Sequence, residues 1–175
     1  GGILWRESDK ASKNTCSNAP AAMCAIELYR RTKEKKYLDA AVRFYTWADA
    51  HLRDPEDGLM WDNMLVKDGT IEKTKWTYNT AMMLKSEHAL LELKAIPGLT
   101  RAKIDAHAAS AIKRWVLPSG GFRDEAAFAH MLFEALLLIK APGYGKEEAR
   151  KTLVFLETQN RDRAGHFPVR WDTVT

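Results

Sequence analysis

Apolar positions along this chain fall into six runs of two alternating kinds. Residues 20–32 are apolar on almost every side through Ala21, Ala22, Met23, Ala25, Ile26, Leu28 and Tyr29, which predicts a helix buried all round. Ser17 or Asn18 is placed to cap that helix, with Pro20 in its first turn. Residues 36–53 differ. Leu38, Ala41, Tyr45, Ala48 and Leu52 form one stripe, while Asp39, Arg43, Thr46 and Arg53 take the opposite face, so one side meets water. The alternation then repeats: 79–95 is rich in apolar residues, and 100–117 is amphipathic with Ile104, Ala108, Ala111 and Trp115 aligned. In the third pair, 125–141 is the most apolar run of all, and 146–160 carries Ala149, Leu153 and Leu156 on one side with charges on the other.

A buried helix followed by a half-exposed one, three times over, predicts an all-α fold. Its architecture is a helical-hairpin toroid, in which each hairpin buries one helix against its neighbours and exposes half of the other. Within hairpins the connections are short, at 33–35, 97–99 and 142–145. The segments leading into each inner helix, 1–18, 54–78 and 118–124, lie at the other end together with the tail 161–175. Hairpin geometry therefore puts all four on one face. They hold Trp5, Trp61, Trp76 and Trp171 and the pairs Gly1-Gly2 and Gly120-Gly121, and loops held by a rigid scaffold are where binding concentrates.

Composition narrows the function classes. With 46% apolar residues in 175, the chain can bury a real core as one domain. The formal charge of +4 comes from 27 basic and 23 acidic residues scattered along the chain, which gives no nucleic-acid-binding arm. The apolar run 126–141 is too short for a membrane span and is broken by His130 and Glu134. Cys16 and Cys24 read as idle thiols, with no zinc spacing and no cofactor motif beside them. The start Gly1-Gly2-Ile3-Leu4-Trp5 has neither an initiator Met nor a signal core, so the expectation is a piece of a longer protein whose compartment stays open, the parent being secreted or periplasmic.

The loop face suits a sugar. Pyranose rings offer C–H faces that stack on aromatic rings and hydroxyl rims that need amides and carboxylates. Trp5, Trp61, Trp76 and Tyr78 supply the first kind of partner, and Asn14, Asn18, Asp62 and Asn79 the second. The plainer alternative has Trp76 and Tyr78 plugging the barrel end and Asn18 and Asn79 capping helices. Glu7, Asp9, Asp62 and Asp124 could reach a cleft, although loop acids usually serve as solvated turn residues. His130 and Glu134 stand one helical turn apart, but two ligands make no metal site, and a satisfied core hydrogen bond is the expectation for them. His51, His88 and His107 follow no ligand spacing and earn no functional role.

Several of these segments occur in the order found in a known family. Gly1-Gly2-Ile3-Leu4-Trp5, Lys13-Asn14, Leu28-Tyr29 followed by Tyr37-Leu38-Asp39-Ala40-Ala41, and Trp76-Thr77-Tyr78-Asn79 resemble glycoside hydrolase family 76 over roughly the first half of the chain. The resemblance implies three hairpins of an (α/α)6 barrel and an endo-acting, retaining α-1,6-mannanase with an oligo- or polysaccharide partner of the α-mannan type. It also implies a catalytic pair of adjacent aspartates upstream of the Gly-Gly-Ile-x-Trp motif. No Asp-Asp dipeptide occurs in this sequence, so the catalytic residues stay unknown and the chain alone is expected to be inactive. Thr80-Ala81 stands where the family has Gln-Gly, and Phe128-Ala129-His130 where it has a Phe-Lys-Gly type motif. These departures put the exact substrate in doubt and keep two rivals open: a non-catalytic carbohydrate-binding or scaffold protein, and another six-hairpin enzyme such as an unsaturated uronyl hydrolase or a sugar epimerase. Three hairpins of a six-hairpin ring leave two apolar edges, from which self-association is expected.

Overall fold

The computed structural model describes residues 2–175; Gly1 of the opening motif lies outside them. In chain order the elements are β1 (Ser12–Asn14), α1 (Thr15–Thr32), α2 (Lys35–Leu52), β2 (Asn63–Leu65), β3 (Ile71–Glu72), α3 (Thr77–Glu92), α4 (Arg101–Trp115), α5 (Ala126–Leu138) and α6 (Lys146–Thr158). The helices form three consecutive hairpins, as the alternation predicts. The strands are short and belong to the loop face. They make an antiparallel sheet in the order β1-β2-β3, with Asn14 opposite Asn63 and Met64 opposite Ile71.

Helix α3 is the axis of the molecule, because it packs on α1, α4 and α5. Two apolar clusters meet across it. Ala81 and Leu84 join Ile104, Trp115, Phe122, Leu132 and Leu136 on one side, while Met83 and Leu90 join Ile26, Tyr45 and Leu52 on the other. A helix that supplies two cores keeps little surface for water, so even its Ser86 and Glu87 are buried. Each inner helix ends at a lysine in the left-handed region: Lys33 at φ 60°, and Lys94 and Lys140 at φ 52°. Their amides return to carbonyls of the final turn, Lys33 to Tyr29 at 2.8 Å and Lys140 to Leu137 at 3.1 Å, and so close the hairpin turn.

The structure corrects several local expectations. Helix α1 begins at Thr15, so Ser17 and Asn18 are not its caps; Asn14 is the N-cap residue and makes no side-chain cap bond. Pro20 consequently sits in the second turn. The first turn is anchored from the neighbouring loop instead, by the Thr15 amide on the Asp62 carbonyl at 2.9 Å and the Thr15 hydroxyl on the Trp61 carbonyl at 2.6 Å. Nor is α1 buried all round, since Cys24, Glu27 and Leu28 are exposed along its outer flank. In α6 the buried stripe is Ala149, Thr152 and Phe155, whereas Leu153 is 56% exposed. Thr152 turns inward because its hydroxyl pairs with the Tyr144 hydroxyl at 2.7 Å. His130 and Glu134 make no core hydrogen bond: both are exposed, His130 bonding back to the Ala126 carbonyl and Glu134 reaching Lys85 at 2.9 Å. No helix among the described residues is long and apolar enough to cross a membrane.

Candidate functional site

The loop face is assembled around Asp62, which links the starts of two inner helices. Its carbonyl caps α1 through Thr15, its own amide donates to the Glu72 carbonyl at 3.1 Å, and one carboxylate oxygen accepts from the Asn79 amide at 3.1 Å. The other oxygen accepts from Asn63 at 2.9 Å. Tyr78, in the first turn of α3, points its hydroxyl at the Cys16 thiol and the Asp62 carboxylate. Burial, followed by those two groups, pushes the Tyr78 phenol above its ordinary range. Burial, followed by Asp62, also raises Cys16, so its thiol stays protonated and serves as a neutral neighbour.

An aromatic wall stands beside this carboxylate. The Phe128 ring from α5 lies 4.6 Å from Tyr78, and the Trp76 ring meets it edge-on at 5.7 Å. The sequence marks Phe128 only as part of a motif and Cys16 as an idle thiol, whereas the structure brings both to the site. The signal available for both was position, because each lies in the first turn of an inner helix on the loop face.

The register of α3 against α5 is fixed by Asp124. It is 3% exposed and accepts from the Thr77 amide at 2.9 Å, the Thr77 hydroxyl at 2.8 Å and the Glu125 amide at 2.8 Å. The expectation of a solvated turn acid is therefore corrected: this carboxylate caps one inner helix from the loop that begins the next.

The remaining predicted residues sit elsewhere. Asn79 is 1% exposed and lies inside α3, so it acts by holding Asp62 and is not a cap. Asn18 has no exposed surface; it accepts from the Ile3 amide at 2.8 Å and donates to the Asn14 carbonyl at 2.8 Å, clamping the leading segment onto α1. Asn14, the last residue of β1, is buried, and the Ser12 hydroxyl donates to its side-chain oxygen at 2.6 Å. Trp5 is 53% exposed at the margin of the sheet with Arg6 over its ring. The Trp61 indole donates to Asp54 at 3.1 Å, and Lys73 lies over its ring, on the outer side of the face. Thus Asp62, Trp76, Tyr78 and Asn79 come together, while Trp5, Asn14, Asn18 and Trp61 frame them. Gly2, at φ 73°, lies so close to the Trp47 ring that a Cβ there would stand 2.5 Å from it, which accounts for a glycine in the opening motif.

A second polar cluster lies away from this face. Glu87 in α3 is 3% exposed and carries the Arg53 guanidinium and the His107 ring, whose Nδ1 is 3.0 Å from one carboxylate oxygen. Burial alone would raise the Glu87 carboxyl, but His107 and Arg53 outweigh it and hold the group below its ordinary value. His107, for which the sequence suggested no role, thus belongs to an internal ionic network that joins α2, α3 and α4. A glutamate within the most buried helix was the signal for it. Among the described residues no group of three or more His, Cys, Asp or Glu side chains could hold a metal ion.

Comparison with known proteins matches residues 1–97 to the family described as Glycosyl hydrolase family 76. Mannan endo-1,6-alpha-mannosidase DCW1 of Candida glabrata is 34% identical over 101 residues, which is 53% of this chain and 23% of that protein. A GH76 alpha-mannanase from Bacteroides thetaiotaomicron is similar at a TM-score of 0.84 and 27% identity, over 94% of this chain and 46% of that one. An inactive variant of the alpha-1,6-mannanase GH76A of Salegentibacter sp. HEL1_6, carrying two Asp-to-Asn replacements and bound to alpha-1,6-mannotriose, is similar at a TM-score of 0.82 and 25% identity. There the match covers 100% of this chain and 56% of the other. The chain spans about half the length of these solved relatives and under a quarter of the curated one.

Proposed function

The chain belongs to glycoside hydrolase family 76, and from that premise we propose that it forms part of the sugar-binding wall of an endo-acting α-1,6-mannanase. The observation that carries this reading is the Asp62 carboxylate, held by Asn79 and Asn63 beside the Tyr78, Phe128 and Trp76 rings at the starts of α3 and α5. A carboxylate fixed by two amides presents its remaining lone pairs to sugar hydroxyls, and the rings beside it offer a stacking surface. The solved relative that holds alpha-1,6-mannotriose supports the choice of sugar. Residues 1–175 act as one domain, three hairpins of an (α/α)6 barrel. With no Asp-Asp dipeptide in the sequence, this chain binds α-1,6-mannan without cleaving it.

Calorimetric titration with α-1,6-mannotriose tests the reading. Trp76→Ala should weaken binding by about 1 to 3 kcal/mol, taking base stacking on an aromatic ring as the analogue. Arg43→Ala, on the exposed side of α2, should leave it unchanged. If Trp76→Ala lowered the melting temperature while binding stayed at the wild-type level, Trp76 would be a structural plug and the site assignment would fall.

The same reading includes self-association of the isolated chain. Leu137, Leu138, Leu153 and Val154 are 36%, 52%, 56% and 44% exposed on the two helices of the last hairpin. Sedimentation at rising concentration should show association that Leu138→Lys reduces, and a strictly monomeric wild-type chain would exclude it.

A further inference from the structure

A cavity of about 750 Å³ opens on the loop face outside the Asp62 cluster. It lies between the C-terminal end of α4, the 54–59 loop, the start of α3 and the 118–124 loop, with Arg170 of the tail at its edge. Its walls are rich in cations, and their pairing separates them into two groups. Lys75 is neutralised by Asp54 at 2.5 Å and Asp57 at 2.8 Å, and Arg170 by Asp172 at 2.9 Å. Lys113, Arg114 and Arg123 have no acidic partner among the described residues.

The acids that face the cavity do not cancel this excess. Asp57 is committed to Lys75, and Asp124 is 3% exposed with its oxygens taken by Thr77 and Glu125. Glu56 alone remains, against three exposed cations. The end of α4 accounts for why bases gather here, since the last turn of a helix carries partial negative charge. It consumes little of their bonding capacity. Arg123 spends one N–H on the Arg114 carbonyl at 3.1 Å, and Arg114 lies 5.6 Å from the centre of the Trp115 ring. The rest of both guanidinium groups and the whole Lys113 ammonium keep their donors.

Trp76 connects this cavity to the candidate sugar site. It lines the basic cavity and also meets Phe128, which contacts Tyr78 beside Asp62. One indole thus borders both a carboxylate cluster suited to neutral hydroxyls and a chamber that holds unpaired cations. We propose that the cavity between α3, α4 and the 118–124 loop is a subsite for an acidic substituent, phosphate or carboxylate, on the sugar chain that the loop face receives. The proposal rests on the sugar-binding reading above and specifies its substrate class as a glycan that carries negative charge. Guanidinium groups pair with both kinds of anion in bidentate fashion, and the Trp76 ring covers the sugar that bears it.

The test is a chemical-shift titration of the 175-residue chain with mannose, mannose 6-phosphate, glucuronic acid and inorganic phosphate. Mannose 6-phosphate or glucuronic acid should bind at least about tenfold tighter than mannose at low ionic strength, and which of the two does so identifies the anion. That preference should shrink with added salt. It should disappear in Lys113→Gln/Arg123→Gln, a variant that keeps an amide able to donate to the Arg114 carbonyl and whose melt reports folding. In that variant α-1,6-mannotriose should bind as in the wild type. The proposal is overturned if neither acidic sugar binds tighter than mannose, if the preference survives the double substitution in a folded variant, or if inorganic phosphate alone binds as well as mannose 6-phosphate. Mannotriose binding without acidic preference would remove this subsite and leave the proposed function standing. Acidic preference without mannotriose binding would do the reverse.

Discussion

Two carboxylates on neighbouring elements have opposite fates in this molecule. Glu87 is enclosed between α2, α3 and α4, and Arg53 and His107 occupy its oxygens. Asp62 is half-buried on the loop face, held by two neutral amides, with aromatic rings for neighbours. Charge paired with charge in the interior ties three helices together, and nothing is left over for a ligand. A carboxylate steadied by amides at an open face keeps spare lone pairs for a ligand. The kind of partner, more than depth, separates an architectural acid from one available for binding.

Removal of Glu87 should cost the fold most. Glu87→Ala leaves His107 without its acid in the interior, while Arg53 keeps Asp49 at 2.6 Å and the Gly58 carbonyl, and should destabilise the chain by about 3 kcal/mol, read from denaturant unfolding. Mannotriose affinity of the molecules that remain folded should not change. A loss of stability below about 0.5 kcal/mol would mean that the network does not tie the helices.

Acid sharpens the same contrast. The folded value of the Glu87 carboxyl lies below its unfolded value, so its contribution is fully present above the unfolded pKa of about 4.3 and fades as pH falls through the lower folded value. Wild type should therefore lose its stability advantage over Glu87→Gln in melts below about pH 4. An advantage that persisted undiminished at lower pH would place the stabilisation in packing and not in charge.

Asp62→Asn is the converse experiment. It keeps the side-chain shape and one carbonyl oxygen for the Asn79 amide, so the melting temperature should fall little while mannotriose binding weakens by about 1.5 to 3 kcal/mol, the range for hydrogen bonds to a charged group. A large drop in melting temperature with unchanged binding would move Asp62 to the architectural side. The smallest effect is expected at Asp124. Asp124→Ala should cost about 1 to 2 kcal/mol of stability as a lost cap, with a modest loss of binding through the displaced Tyr78 and Phe128 rings.

The hairpins follow from the chain's local pattern. All six helices lie within a few residues of where periodicity puts them, because burying an inner helix demands apolar residues on a 3.6-residue repeat whatever the partner. The Trp-Thr-Tyr-Asn segment likewise marks the loop face from sequence alone. Local pattern could not say where α1 begins, because its first turn is capped by the Asp62 carbonyl from 47 residues further along the chain. Nor could it say that Thr152 rather than Leu153 turns inward, which depends on the Tyr144 hydroxyl. Sorting of the acids was only partly within its reach: Asp62 was marked for the site, but only the fold gave Glu87 an ion pair and turned Asp124 from a loop acid into the cap of a helix start. Helices form from neighbours in sequence, whereas a carboxylate takes its role from neighbours in space, and those are fixed only when the hairpins pack.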